Sequence, residues 1–429
     1  IYNPHRTPDY ESVLSHKRVG TSFRGLFNLF VVVLIAMNVR LVIENFVKYG
    51  FLLGAPFRAA VAVGWAAPFE FVLSVIFMLL FPTTVCWVQR NADELGENLT
   101  NVLTMANCVA MFSVPCIFVF VFNLPHVFGF SATILAIIYI MKIVSYAHVC
   151  AATRKLKRCA KKEDVNILDE LSGDKLVASI VEQHPKNLTL KNMYLFCAFP
   201  TLIYQLHFHR KARCSSKRIM FWSAQFVFCG ILMLILVEQY MMPILDNFTN
   251  WYVEGTLTPT IFIERLLKLA IPNLYVWLLM FYMLFHCWLN ILGEMLYFGD
   301  RCFYTDWWNA INITDYWQKW NQPVHHWLKR HVFYPLINDF KLNKSLAGLL
   351  VFALSGVLHE VLVVIPFRLM PTGLTTLAFM GQLPIMVITS HPVFLRHQIL
   401  GNVVFWICFC VAGQPLGIIA YFFQVKLKQ

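Results

Sequence analysis

Long apolar stretches recur along the chain, separated by shorter polar segments. They fall at about 26–48, 66–87, 103–123, 127–149, 219–241, 264–292, 346–366, 374–391 and 400–423. A run of roughly 18 or more mostly apolar residues reads as a transmembrane helix, because in lipid every backbone polar group must be paired within the segment. The pattern predicts an all-α polytopic membrane protein with about nine transmembrane helices, 374–391 being the shortest. No Gly/Ser linker or repeat divides the runs. A single membrane domain over 1–429 is expected, with 1–25 as an N-terminal cytosolic segment and 298–345 as a cytosolic loop with its own helices.

The polar segments set the orientation, since short cytosolic loops collect Lys and Arg. Lys17, Arg18 and Arg24 precede the first run. Arg154, Lys155, Lys157, Arg158, Lys161 and Lys162 follow the fourth, and Arg301, Lys319, Lys329, Arg330, Lys341 and Lys344 follow the sixth. Segments 124–126 and 242–260 carry neither residue type. Nine crossings from a cytosolic N-terminus put all three basic segments on one side, with Lys426 and Lys428 on the far side. Two segments fit neither class. Residues 187–208 are apolar but broken by Pro200, which predicts a half-inserted or interfacial piece. Residues 298–335, rich in Trp, Tyr and His, predict packed structure at the membrane surface.

Composition agrees with lipid as the main solvent: 58% of the 429 residues are hydrophobic and 14% charged, where soluble domains carry about 25% charge. The net charge of +12 sits in a few connecting segments. That suits cytosolic loops facing an anionic substrate or leaflet, not a nucleic-acid surface, and no nucleic-acid partner is expected. The twelve cysteines lie mostly in apolar runs (Cys108, Cys116, Cys229, Cys408, Cys410) without CxxC or Cys/His ligand spacing. They read as buried small hydrophobes, with no disulfide framework and no metal site. The chain opens on Ile1, so a further N-terminal tail is expected; the first apolar run is too long and starts too late for a cleavable signal.

Within this apolar background the ionisable positions stand out. "SGVLHEVLVVIP" (355–366) places His359 and Glu360 side by side inside a run. A charge at the centre of a spanning helix costs about 2.5–3.5 kcal/mol on insertion scales, so such residues face a partner, a cavity or a substrate. Ser355, four residues earlier, shares the helical face of His359, while Glu360 points about 100° away and needs separate company. A structural histidine and a functional one are equally well accommodated; Glu360 is the better packing residue. "FYTDWWNAINITDYWQKWNQPVHHW" (303–327) crowds Trp307, Trp308, Trp317, Trp320 and Trp327 beside Asp306, Asn309, Asn321 and His325. An interfacial aromatic belt accounts for the rings but not for Asn321 and His325 sharing one turn, where Asn321 could donate to an oxyanion and His325 orient a partner or substrate. "GQLP" (381–384) and "GQPLG" (413–417) put Gln382 and Gln414 in lipid beside loosened backbone, and helix–helix hydrogen bonding is the simplest account of both. Lys344, just before the histidine run, is the best placed cation for a phosphate. No P-loop or GxGxxG is present, so any nucleotide would be held by charge and shape.

These residues also carry a resemblance. "FYTDWWN" (303–309) and His359 in "SGVLHE" resemble the FYxDWWN signature and intramembrane histidine of the membrane-bound O-acyltransferases. "NQPVHHW" (321–327), "VRLVIENFVKYG", "IERLLKLAIPN" (263–273) and "LNILGEMLYFGDR" (289–301) resemble the diacylglycerol-acylating branch, from residue 38 almost to the C-terminus. The resemblance implies an MBOAT-like helix bundle in the endoplasmic reticulum, commonly dimeric. It also implies acyl transfer from acyl-CoA as co-substrate, without a further cofactor, to 1,2-diacylglycerol. By motif match His359 is the implied catalytic residue, with Asn321, His325, Glu360, Gln382 and Gln414 near the reaction centre. Phe303, Tyr304, Asp306, Trp307, Trp308, Asn309, Trp320, Ser355 and Lys344 are implied or placed as substrate-side residues. Three departures occur: Cys302 replaces a usual acidic residue, "HFHRKAR" (207–213) replaces a tyrosine-proline-arginine run, and the usual tyrosine/histidine/aspartate ending after "GQP" is missing.

The expected reaction is direct. The acceptor hydroxyl attacks the thioester while neutral His359 takes its proton, and Asn321 or a glutamine amide stabilises the oxyanion. A sterol or wax-ester synthase would use the same groups. A transporter using His359 and Glu360 as a proton relay is the rival of another class, but it has no need of "FYTDWWN".

Overall fold

The computed structural model describes residues 24–50, 52, 64–163, 175–396 and 398–428. Lys17, Arg18 and the rest of the N-terminal segment up to residue 23 lie outside them. The chain divides into two compact units, Ile1–Gly54 and Ala55–Gln429. In the first, a single 26-residue helix, α1 (Arg24–Tyr49), covers the first apolar run. Leu34, Val39, Ile43 and Val47 are apolar positions along it, as suits a helix of a membrane protein.

The second unit is all-helical, and among the described residues its only strand-like contact is an isolated bridge between Arg210 and Phe298. Among the described residues, seven of its helices are long and apolar enough to cross a membrane: α2 (Ala66–Arg90), α3 (Glu97–Phe120), α4 (His126–Glu163), α7 (Ser216–Val253), α8 (Pro259–Met295), α12 (Lys344–Phe367) and α16 (Ile399–Lys426). Between them run α5 (Lys175–Glu182), α6 (Leu190–Ala198), α9 (Ile313–Lys319), α10 (Gln322–Leu328), α11 (Tyr334–Asn338), α13 (Leu374–Met380), α14 (Gln382–Thr389) and α15 (Pro392–Arg396). All nine apolar runs are thus helical. Run 374–391, expected to span, is instead a shorter pair broken at Gly381.

Two of the unit's cores hold most of the spanning helices together. One joins α2, α3, α4 and α6 around Met78, Met111, Ile143, Tyr146 and Phe196. The other joins α7, α8 and α16 around Leu245, Phe248, Leu269 and Ile419. The Pro200-broken segment is not a crossing. Its helix α6 stops at Ala198, and Met193, Phe196 and Cys197 turn into the first core, so protein rather than lipid covers them. Lys142, 3% exposed within α4, holds that helix end with its ammonium donating to the carbonyls of Phe196, Cys197 and Phe199 at 2.8, 2.9 and 2.6 Å. These are the C-terminal carbonyls that a helix cannot pair internally.

Of the cysteines read as buried, Cys108 and Cys229 are so, Cys116, Cys408 and Cys410 are half-buried, and Cys302 is exposed. Among the described residues four stretches wind as π-helix: Val237–Met241, Tyr282–Trp288, Lys329–Phe333 and Cys408–Gly413. Such stretches shift the facing of every side chain that follows and recur at functional sites.

Candidate functional site

α12 carries His359. Asn343 caps its start, accepting the Leu346 N–H at 2.7 Å. At its other end Arg368 takes a left-handed conformation, and its guanidinium donates to the carbonyls of Val119 and Leu124 at 2.9 and 3.1 Å. His126 donates through Nδ1 to the Pro366 carbonyl at 2.7 Å. The helix is therefore fixed against α3 and α4 at one end.

Midway along it, Nδ1 of His359 lies 2.7 Å from the Ser355 carbonyl oxygen. A carbonyl only accepts, so Nδ1 carries the proton and Nε2 presents a lone pair. Ser355 does share the face of His359, but what it offers is its backbone oxygen. The imidazole packs on Phe379 of α13 at 4.4 Å between ring centres. α13 comes this close because position 356 is glycine: a Cβ there would stand 3.1 Å from the Phe379 Cβ and 3.3 Å from the Thr376 Cα.

Glu360 faces elsewhere, as its angular offset requires. Its carboxylate, on a residue 7% exposed, accepts the N–H groups of Gly373, Thr375 and Thr376 at 3.0, 2.7 and 3.2 Å and the Tyr421 hydroxyl at 3.0 Å. It caps the N-terminus of α13, where a negative charge is favoured, and ties α16 to α12. Glu360 thus holds Phe379, through α13, against the histidine.

An aromatic wall continues from Phe379. Trp317 of α9 meets Phe379 at 5.3 Å and Phe352 at 5.8 Å, and its indole N–H donates to Gln382 Oε1 at 3.0 Å. Trp320 follows at 6.2 Å from Trp317. Tyr304, Trp307, Trp317 and Trp320 share one cluster with Phe281, Tyr316 and Phe405, so the tryptophans form a packed wall and not only a surface belt. The motif loop is tied down by backbone: Thr305 N–H donates to Lys319 O at 2.9 Å and Gln322 N–H to Phe303 O at 3.0 Å. Asn402 of α16 donates to the carbonyls of Trp308 and Ala310 at 3.0 and 2.8 Å.

Asn321 caps α10, its Oδ1 accepting the Val324 N–H at 3.2 Å, which leaves the side-chain N–H₂ as donor. α10 reaches α12 through Val324 and Trp327, which cluster with Leu358, Val361 and Leu362. Burial, then the neighbouring His326 and Lys329, hold the His325 imidazole below its ordinary value, so it is neutral at physiological pH. Gln414 accepts from Asn273 of α8 at 3.1 Å.

Other expected residues have neighbours of their own. Phe303 packs with Phe199 and Phe298. Asp306 and Asn309 line a surface cavity of about 560 Å³ with Asn312, Asp315, Gln318 and Lys319, and Trp308 is 46% exposed. Lys344 is the exposed first residue of α12, fifteen residues and about 22 Å of helix from His359. A groove of about 640 Å³, lined by Glu97, Ala152, Lys155, Arg158 and Lys161, lies at the basic end of α4 and includes no expected site residue. Sequence reasoning assigned no role to Phe379, Tyr421 or Asn273. Tyr421 follows Gln414 by seven residues, a spacing that places both on one helical face and could have marked it.

The sequence model of the membrane-bound O-acyltransferase family matches residues 67–422. Curated relatives include "Diacylglycerol O-acyltransferase 1C" of Glycine max, 33% identical over 434 residues, which cover 97% of this chain and 80% of the relative. "Diacylglycerol O-acyltransferase 1-1" of Oryza sativa subsp. japonica is 36% identical over 421 residues, covering 94% and 72%. "Diacylglycerol O-acyltransferase 1" of Arabidopsis thaliana is 35% identical over 412 residues, covering 95% and 74%.

Proposed function

The chain belongs to the membrane-bound O-acyltransferase family, and from that premise we propose that it moves a fatty acyl group from acyl-CoA to the free hydroxyl of 1,2-diacylglycerol, at the endoplasmic reticulum membrane. The single observation that carries the mechanism is the Nδ1–H to Ser355 carbonyl bond, which leaves Nε2 of His359 as a proton acceptor. The names of relatives that span most of the chain support the choice of acceptor.

The acceptor hydroxyl attacks the thioester carbonyl as Nε2 takes its proton, forming the new C–O bond and a tetrahedral oxyanion. Collapse breaks the C–S bond. The imidazolium returns the proton to the departing CoA thiolate, leaving triacylglycerol, CoA and neutral His359. A positioned base of this kind contributes about 10²–10⁴ in rate. The Asn321 amide N–H₂, aimed by the Val324 cap, and the Gln382 N–H₂ are the donors proposed for the oxyanion. A histidine inside the membrane suits this chemistry because one substrate has a water-soluble nucleotide head and the other lives in lipid.

The test is purified protein with labelled oleoyl-CoA, offered diacylglycerol, cholesterol and a long-chain alcohol in parallel. Labelled triacylglycerol as the main product is expected. Sterol ester or wax ester as the main product, or no acyl transfer at all, refutes the reading.

A further inference from the structure

The stretch Tyr282–Trp288, "YMLFHCW", winds as π-helix inside the long spanning helix α8 and presents a further histidine, His286. Nδ1 of His286 lies 2.8 Å from the Tyr304 hydroxyl. The ring is held on two further sides. Tyr282 stacks on it at 4.9 Å with an interplanar angle of 17°, and Trp222 of α7 meets it edge-on at 6.4 Å. Tyr282 is itself fixed, its hydroxyl donating to Gln225 at 3.2 Å, and the His286 carbonyl accepts from Asn290 at 2.8 Å. An imidazole retained in a spanning helix and clamped this way has a definite partner to serve. That partner is the second residue of "FYTDWWN".

Tyr304 is where α8 grips the motif loop. Its ring meets Phe281, one residue before the π stretch, at 5.0 Å; Phe281 in turn meets Trp307 at 4.9 Å, and Phe285 meets Trp320 at 5.1 Å. The π stretch sets which way His286 points relative to Phe281, the last residue of the regular helix before it. The hydrogen bond and the ring contacts therefore form one register lock between helix and loop.

We propose that His286 is a positioning residue for the acyl donor: bonded to Tyr304, it fixes the Trp307–Trp320 wall against which the donor is held on its way to His359. It acts through Tyr304 and is not a catalytic residue. The proposal rests on the reading of acyl-CoA as donor.

The test is a double-mutant cycle on the full-length protein in detergent or nanodiscs, with acyl-CoA and diacylglycerol varied separately. One neutral hydrogen bond corresponds to roughly a three- to ten-fold effect. His286→Ala and Tyr304→Phe are each expected to raise the KM for acyl-CoA by about that factor and to leave the KM for diacylglycerol unchanged. The double variant should be no worse than the poorer single one, because both remove the same bond. His286→Asn, which keeps a polar atom near Nδ1, should recover most of the loss; a purely structural cavity effect would not be rescued and would move the unfolding temperature instead. Additive losses, an unchanged donor KM, or a loss that tracks the unfolding temperature overturns the proposal. Wild-type protein that consumes no acyl-CoA fails the functional reading itself, and that outcome is seen before any variant is made.

Discussion

The carbonyl of Ser355 decides which nitrogen of His359 is basic: with Nδ1 committed to it at 2.7 Å, only Nε2 is left to accept a proton. His359→Ala should therefore cost at least about a hundredfold in kcat, the lower range for a positioned base, while acyl-CoA still binds. Activity should fall toward acid pH, where Nε2 gains a proton and ceases to be a base. Turnover of His359→Ala near the wild-type rate, measured alongside donor binding, would remove the base assignment.

Glu360 answers to four donors and not to the imidazole. Glu360→Gln turns an N–H₂ toward groups that also donate, and should cost roughly 1.5–3 kcal/mol of stability, the range for a bond to a charged group. Tyr421→Phe removes one of the four bonds and should cost less. Both should lower activity less than His359→Ala. Thermal unfolding read together with turnover checks the order; a Glu360→Gln protein of normal stability but no activity would give the carboxylate a direct role.

Gln414 tests a different boundary. Its Oε1 accepts from Asn273 at 3.1 Å, so part of its use is to join α16 to α8. If the remaining N–H₂ also meets the acceptor, Gln414→Ala should lower kcat/KM for diacylglycerol about tenfold, and Asn273→Ala should do so distinctly less. Equal losses in the two variants would reduce Gln414 to a helix–helix bond.

Lys344 opens α12 with a positive charge, where the helix dipole disfavours a cation by about 0.3–1 kcal/mol. Lys344→Ala should thus leave the protein at least as stable, yet raise the KM for acyl-CoA if the ammonium meets its phosphates. An unchanged donor KM in steady-state kinetics separates Lys344 from the site.

A pH effect on stability follows from the surface segment. Nδ1 of His331 lies 3.0 Å from Nδ1 of His148, and burial, then His148 and Arg330, push the His331 imidazole down to about 3. An unfolded histidine titrates near 6.5. Below that pH the unfolded chain takes up a proton that the folded one refuses, so stability present above about 6.5 is lost progressively as pH falls toward 3. Unfolding temperatures of solubilised protein between pH 8 and 5 should show the decline, and His331→Gln should flatten it.

Length and hydropathy sufficed for the helices, because lipid leaves the backbone few alternatives; run 374–391 broke the pattern at Gly381, because Pro384 has no N–H for the Met380 carbonyl four residues earlier. His359 and Glu360 were legible as expensive positions, and the helical period separated their faces. Their partners were not. Trp317 is 65 residues from Gln382, and Asn273 is 141 from Gln414. Which polar groups meet across such distances is decided by helix packing, for which one sequence carries no local signal. Tyr421 is a different case: it lies seven residues after Gln414 on the same helical face, a local signal that the sequence does carry.

The interruption at Gly381 has a consequence for the surrounding lipid. Leu374–Thr389 amounts to sixteen residues, about 24 Å of helix against a hydrocarbon core of about 30 Å. Beside Phe379, and hence beside His359, this pair is too short for a full crossing, and a segment that short is accommodated by thinning of the bilayer or by flanking polar groups reaching inward. The thickness of the host bilayer is thereby a variable acting on the helix pair that packs against His359.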